Sequence, residues 1–131
     1  MPLKKFIKVY QKSEIIFEEK SFGEEMYIIH SGKVKITRKK EGQEVVLANL
    51  GPGEFFGEMA LVDSAPRTGT AIVEDDNTRL ITLNQSTFLY LIGQQPAFAL
   101  TIMHTLCKRM REQLSLYLES IENTSEKGSS K

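Results

Sequence analysis

From Glu14 to about Leu83, apolar residues come in short runs: "EIIFEE", "EEMYIIHSGKVKITRKKEGQEVVLANLGPGEF" and "GTAIVEDDNTRLITL". Runs of this length with β-branched and aromatic residues read as strands. The interruptions "HSG" at residues 30–32, "EGQ" at 41–43, "GPG" at 51–53 and "EDDN" at 74–77 supply residues that tolerate positive φ or fix a turn. Strands and turns at such regular spacing predict an antiparallel β-roll of the jelly-roll, double-stranded β-helix kind over about residues 14–83. After Asn84 the period changes. "NQSTFLYLIGQQ" predicts a short helix, and Pro96 opens a longer one reaching about Ile121. On that longer helix Ala99, Met103, Leu106, Met110, Leu114, Tyr117 and Ile121 fall three and four residues apart, which makes one apolar stripe. The fold class expected is therefore mainly β with flanking helices: the roll, then two C-terminal helices over about residues 84–122. Residues 1–11, basic and amphipathic, predict a short helix against the roll, and the small polar residues 123–131 read as a flexible tail.

Composition narrows what such a fold is for. The chain has 131 residues, enough for one domain with a real core, here taken as residues 1–122. Its formal net charge is zero, so no global field draws it onto nucleic acid or an anionic bilayer; any anion must be held locally. The basic run "TRKKEG" at residues 37–42 reads as a solvated hairpin rather than a nucleic-acid patch. Cys107 is the lone cysteine, so no internal disulfide is expected, and its helical context reads as an inert thiol. No leader peptide or long apolar run is evident, which gives a cytoplasmic expectation with no membrane partner. A metal enzyme on a double-stranded β-helix needs several histidines and a carboxylate, whereas this chain has only His30 and His104. No nucleophile and base pair is evident either. Neither a metal site nor catalysis is expected.

One stretch concentrates special chemistry: "FGEMALVDSAPRTGTA", residues 56–71. It lies between two predicted strands, and its "EMALV" is long enough for about one helical turn. Gly57 lets the backbone bend into that turn, whose first N–H groups lack internal partners and carry partial positive charge. Arg67 adds a planar fork suited to phosphate oxygens. Glu58 would repel a phosphate but accepts hydrogen bonds from a sugar hydroxyl. Together these groups describe a site for a phosphorylated ribose. A structural ion pair between Glu58 and Arg67 that merely closes the loop is the alternative reading of the same two residues.

The stretch resembles the phosphate-binding cassette of cyclic-nucleotide-binding domains, the family of the catabolite activator protein, the regulatory subunits of cyclic-nucleotide-dependent kinases and the cyclic-nucleotide-gated channels. "FGEMAL" followed closely by "PRT" carries the resemblance, which extends through "IIHSGKVKI", "LGPGEFFGE" and the two-helix ending. It implies that Arg67 binds the cyclic phosphate and Glu58 the ribose 2′-hydroxyl, with backbone amides from Gly57 through Met59 to Ala60 completing the cradle. It further implies that Ile36 and Leu47 line the base. Thr68 stands where a hydroxyl reaches the phosphate and, in a syn purine, the guanine amino group; an ordinary β-forming role is the alternative. Gly69 stands where alanine is common, and reads as extra backbone freedom beside Arg67.

The function expected is that of a stand-alone sensor: cAMP or cGMP is the ligand, no other cofactor is needed, and the C-terminal helices move to signal to an effector protein. Their apolar stripe serves either as a lid on the nucleotide or as the seam of a homodimer. Only polar residues follow Ile121, so a helix-turn-helix and direct DNA binding are not expected. A degenerate jelly-roll kept as an interaction module, and a sensor fragment of a longer transcription regulator, are the competing readings.

Overall fold

The computed structural model describes the backbone of residues 3–129 and the side chains of residues 5–123. The chain divides between Phe88 and Leu89 into two compact units.

The first unit holds the roll. Its strands are β1 (Ile7–Tyr10), β2 (Ile15–Phe17), β3 (Met26–Ser31), β4 (Val34–Lys40), β5 (Gln43–Leu50), β6 (Phe55–Phe56), β7 (Thr70–Val73) and β8 (Thr78–Leu83). They form two four-stranded antiparallel sheets, ordered β1-β8-β3-β6 and β2-β7-β4-β5. This is the β-roll predicted from the pattern, with every predicted turn between two strands. The N-terminal segment differs: a 3-10 turn covers Leu3–Phe6, and then β1 pairs with β8, Ile7 opposite Ile81 and Tyr10 opposite Thr78. Pairing with the otherwise open edge of β8 satisfies the backbone of "IKVY", and this outweighs its helical amphipathicity. Met1 and Pro2 lie outside the described residues.

Period-two alternation places the core. In β7 Ala71 and Val73 point inward, whereas β8 is buried on both faces, with Leu80 and Leu83, three residues apart, fully buried. Tyr27, Ile29, Val34, Phe56, Ala71 and Leu80 form one cluster, with Phe17, Ile36 and Leu50 packed against it. Between β6 and β7 a single helical turn, α1 (Met59–Val62), forms where "EMALV" predicts it, with Leu61 buried beneath.

Two more helices follow, α2 (Gln85–Gln94) and α3 (Ala97–Ser129). Asn84 and Thr87 cap α2 reciprocally: Thr87 N–H donates to Asn84 Oδ1 at 2.9 Å, and Asn84 N–H to Thr87 Oγ1 at 2.8 Å. α3 continues past the expected end at Ile121 to Ser129. The side chains of residues 124–131, where a flexible tail is expected, lie outside those described. Within α3, Phe98, Ala99, Ile102, Thr105, Leu106 and Arg109 are buried or half-buried, and every described residue from Met110 onward is exposed. No helix among the described residues is long and apolar enough to cross a membrane.

Candidate functional site

Arg67 is the centre of the cassette. It follows a loop of residues 63–66 that returns toward β7, and its backbone is held by the turn segment that follows β2. Arg67 N–H donates to Ser21 O and Lys20 N–H donates to Arg67 O, both at 2.8 Å. These bonds prolong the β2–β7 pairing, in which Phe17 stands opposite Ala71, past the end of both strands. The side chain then turns inward and is only 8% exposed. Nη1 donates to Gly57 O at 3.2 Å and Nη2 to Glu25 O at 2.9 Å. The guanidinium carbon lies 4.1 Å from the centroid of the Phe17 ring. Nε is buried with no hydrogen-bond partner among the described residues.

Burial lowers the Arg67 pKa, and the charges of Tyr27, Glu25 and Glu58 oppose that shift. An arginine so placed keeps its proton at any physiological pH, because its ordinary value lies far above neutrality. The site therefore presents a permanent cation, largely stripped of water, with a neutral ring and neutral carbonyls as its direct contacts. Tyr27, whose ring packs against Phe17, is pushed up to about 12, chiefly by burial and then by the nearby Glu25 charge, so its phenol stays neutral at physiological pH.

The other residues of the sequence-predicted site fall into two groups. Gly57 adopts φ +77°, a conformation glycine takes without a Cβ penalty, and this bends the chain from β6 into α1. A Cβ there would also stand 2.8 Å from Arg67 Nη1. Glu58 is the N-cap of α1 without a side-chain capping bond, and its charge acts on Arg67. Met59 is exposed on the same turn. The Ala60 amide, expected in the cradle, donates to Gly57 O at 3.2 Å, so any ligand shares it with that carbonyl.

The second group is apolar. Ile36 pairs with Ala71 in β7 and with Ala48 in β5, and the next β4 residue, Thr37, pairs with Val46. Leu47 is thus the extra residue of a β-bulge, which leaves it half exposed at the edge of the sheet. Ile36 and Leu47 both converge on Gly69: a Cβ on Gly69 would fall 2.8 Å from Ile36 Cγ2, 2.8 Å from Thr37 O and 3.6 Å from Leu47 Cδ1. Gly69 does not have a positive φ, so close approach of β4, not backbone freedom, is what requires glycine here. Thr68, exposed, separates the buried Arg67 from this apolar wall.

Sequence reasoning missed Phe17, Gly23 and Glu25, all of which touch or crowd the Arg67 guanidinium. A Cβ on Gly23 would stand 2.5 Å from Nη2. The one available signal was a glycine inside "SFGEEMY" that no predicted turn accounts for. A cleft of about 730 Å³, bordered by residues 22–24, 60–64 and 84–86, was also not foreseen. Only Ala60 of the predicted residues borders it, and Gln85 Nε2 crosses it to donate to Leu61 O at 2.9 Å.

With this geometry in view, the chain can be compared with known proteins. A family model described as the cyclic nucleotide-binding domain matches residues 7–95. A cyclic AMP receptor protein of Thermus thermophilus is 39% identical over 117 residues, covering 88% of this chain and 54% of the receptor. Human cGMP-dependent protein kinase 2 is 32% identical over 89 residues, 66% of this chain and 12% of the kinase. Among solved structures, the catabolite activator protein of Thermus thermophilus superposes with a TM-score of 0.78 at 39% identity, over 90% of this chain and 56% of that one. The chain spans about half the length of that receptor and far less of the kinase.

Proposed function

Because the chain belongs to the cyclic nucleotide-binding domain family, we propose that residues 1–122 act as a sensor domain for cAMP or cGMP, regulatory rather than catalytic, that signals to an effector protein through α2 and α3. The single observation that carries this reading is Arg67: a buried, permanently charged guanidinium whose direct contacts are neutral and whose Nε is unsatisfied. A buried cation without an anion in contact is costly, and a cyclic phosphate diester supplies one negative charge and two acceptor oxygens. Glu58, on the turn beside it, is the group suited to the ribose 2′-hydroxyl. Met59 and the Gly57 backbone frame the phosphate from the same turn, with the shared Ala60 amide behind them. Ile36 and Leu47 then form the wall against which the purine lies. The names of the relatives speak of cAMP in one and cGMP in the other, and both purines suit an apolar wall of this kind.

Isothermal titration of the intact chain with cAMP and with cGMP tests the reading. The expected result is saturable binding of at least one nucleotide. Arg67→Ala should weaken it by about 3–5 kcal/mol, the cost of removing one partner of a buried ion pair, or more than a hundredfold. Absence of binding by the unaltered chain would instead make the roll an interaction module that has lost its ligand.

A further inference from the structure

Beneath the Arg67 guanidinium lies a feature that no cassette residue supplies. The Phe17 ring sits on β2, fifty residues earlier in the chain, and the guanidinium carbon stands 4.1 Å from its centroid. Phe17 is itself braced, with ring centroids 5.9 Å from Tyr27 and 5.9 Å from Phe56, while Tyr27 and Phe56 stack at 5.2 Å. A braced ring face attracts a cation and defines the plane in which a planar guanidinium lies. The carbonyls of Gly57 and Glu25 then fix its rotation within that plane. Gly23 and Gly57 leave the slot open at the Nη ends, where a side chain on either would collide with the fork.

We infer that Phe17 is a positioning residue for anion binding: its ring holds the Arg67 fork in one orientation before ligand arrives. The inference rests on the proposed nucleotide-binding role of Arg67, and it adds a determinant that lies outside the cassette and acts through Arg67. Preorganisation of this kind raises affinity by removing the ordering cost of a long, flexible side chain at the moment of binding. Leucine at position 17 keeps the apolar volume roughly constant but has no π-face. Tyrosine keeps the ring.

The test is a double-mutant cycle read by calorimetry with cAMP and cGMP on the intact chain. Phe17→Leu should weaken both nucleotides to a similar degree, by about two- to thirtyfold, the span of a cation–π contact from exposed to desolvated. Phe17→Tyr should retain most of the affinity. In an Arg67→Ala background, where residual binding is measured at high nucleotide concentration, Phe17→Leu should have no further effect, because its influence passes through the lost guanidinium. Thermal denaturation without ligand identifies variants that have simply unfolded, and Gly23→Ala, whose Cβ would stand 2.5 Å from Arg67 Nη2, provides an independent second variant that should weaken binding as Phe17→Leu does. If the unaltered chain binds nucleotide and a folded Phe17→Leu variant leaves affinity unchanged, the positioning role is overturned while nucleotide binding stands, whatever Gly23→Ala does. Equal losses from Phe17→Leu with and without Arg67 would also overturn it. If the unaltered chain binds neither nucleotide, the functional reading and this inference fall together.

Discussion

At the scale of single residues, the site is governed by what two small positions permit. Gly69 lies where a Cβ would meet both a side-chain methyl and the Thr37 carbonyl at 2.8 Å. The methyl carbon can move only by a change of χ1, which is stiff in a β-branched side chain, and the carbonyl belongs to the β4–β7 ladder, where Thr37 pairs with Thr70, and has little room to yield. Gly69→Ala should therefore lower stability by about 1–3 kcal/mol, the usual cost of overpacking, seen as a lower midpoint in thermal denaturation. Thr68, its neighbour, faces solvent and has no such packing constraint. If its hydroxyl reads guanine, Thr68→Ala should cost cGMP about 0.5–1.5 kcal/mol, the net value of one neutral hydrogen bond, and cAMP less. Calorimetric titration of that variant with both ligands separates the two roles, since equal losses would leave Thr68 a phosphate contact or an ordinary strand-forming residue. These neighbours also show where sequence reading stops. Arg67, Gly57 and Glu58 were legible because unusual residue types cluster within a dozen positions. The reason for Gly69 was not, because it depends on a strand thirty residues earlier coming within contact distance.

Elements formed where local chemistry and tertiary pairing agree. Strands β2 through β8 are legible because their short apolar runs and their turn residues specify the same boundaries, and α1 because "EMALV" follows Gly57 and ends at Asp63, which is extended in the structure. The segment "IKVY" reads as part of a helix in the sequence because four residues carry too little periodicity to distinguish helix from strand. Its partner, β8, lies about seventy residues away. Nothing local to Phe17 indicates that a cation from the cassette lies over it. The start of α2 is the clearest case of agreement: "NQST" contains its own reciprocal cap. Asn84→Ala removes the acceptor for Thr87 N–H and should lower stability by about 1 kcal/mol, measured by thermal denaturation. Nucleotide affinity should hardly change if α2 needs only to be formed, so a large loss in titration would indicate that its first turn takes part in the response.

At the scale of the whole molecule, the unsolved balance lies in α3. Among the described residues its buried and half-buried positions end at Arg109, yet the helix runs to Ser129, and Met110, Leu114, Tyr117 and Ile121 are all exposed at spacings of four, three and four. Leu100, Met103 and Cys107 precede them on the same spacing and are exposed too. This stripe is shifted by one residue at Ala99 and Leu106 from the one the sequence suggests, because those two are half-buried. Seven positions at alternating intervals of three and four make a heptad seam, the pattern by which two helices pack in a coiled coil. A helix whose apolar stripe meets only water gains little from that stripe, and isolated helices are marginal in water even when their sequences favour them. We therefore propose that a second copy of the chain covers it, with twofold symmetry because the same seam serves both partners. Sedimentation analysis should show a dimer, and Leu114→Asp with Ile121→Asp should give a monomer whose roll still melts cooperatively. Removing one desolvated leucine or isoleucine typically costs about 2–5 kcal/mol, so replacing both on each of two helices exceeds what a dimer of ordinary affinity can tolerate. A chain that sediments as a monomer before mutation, with residues 97–121 no more protected from hydrogen exchange when nucleotide is saturating, would remove α3 both as a seam and as the carrier of the signal.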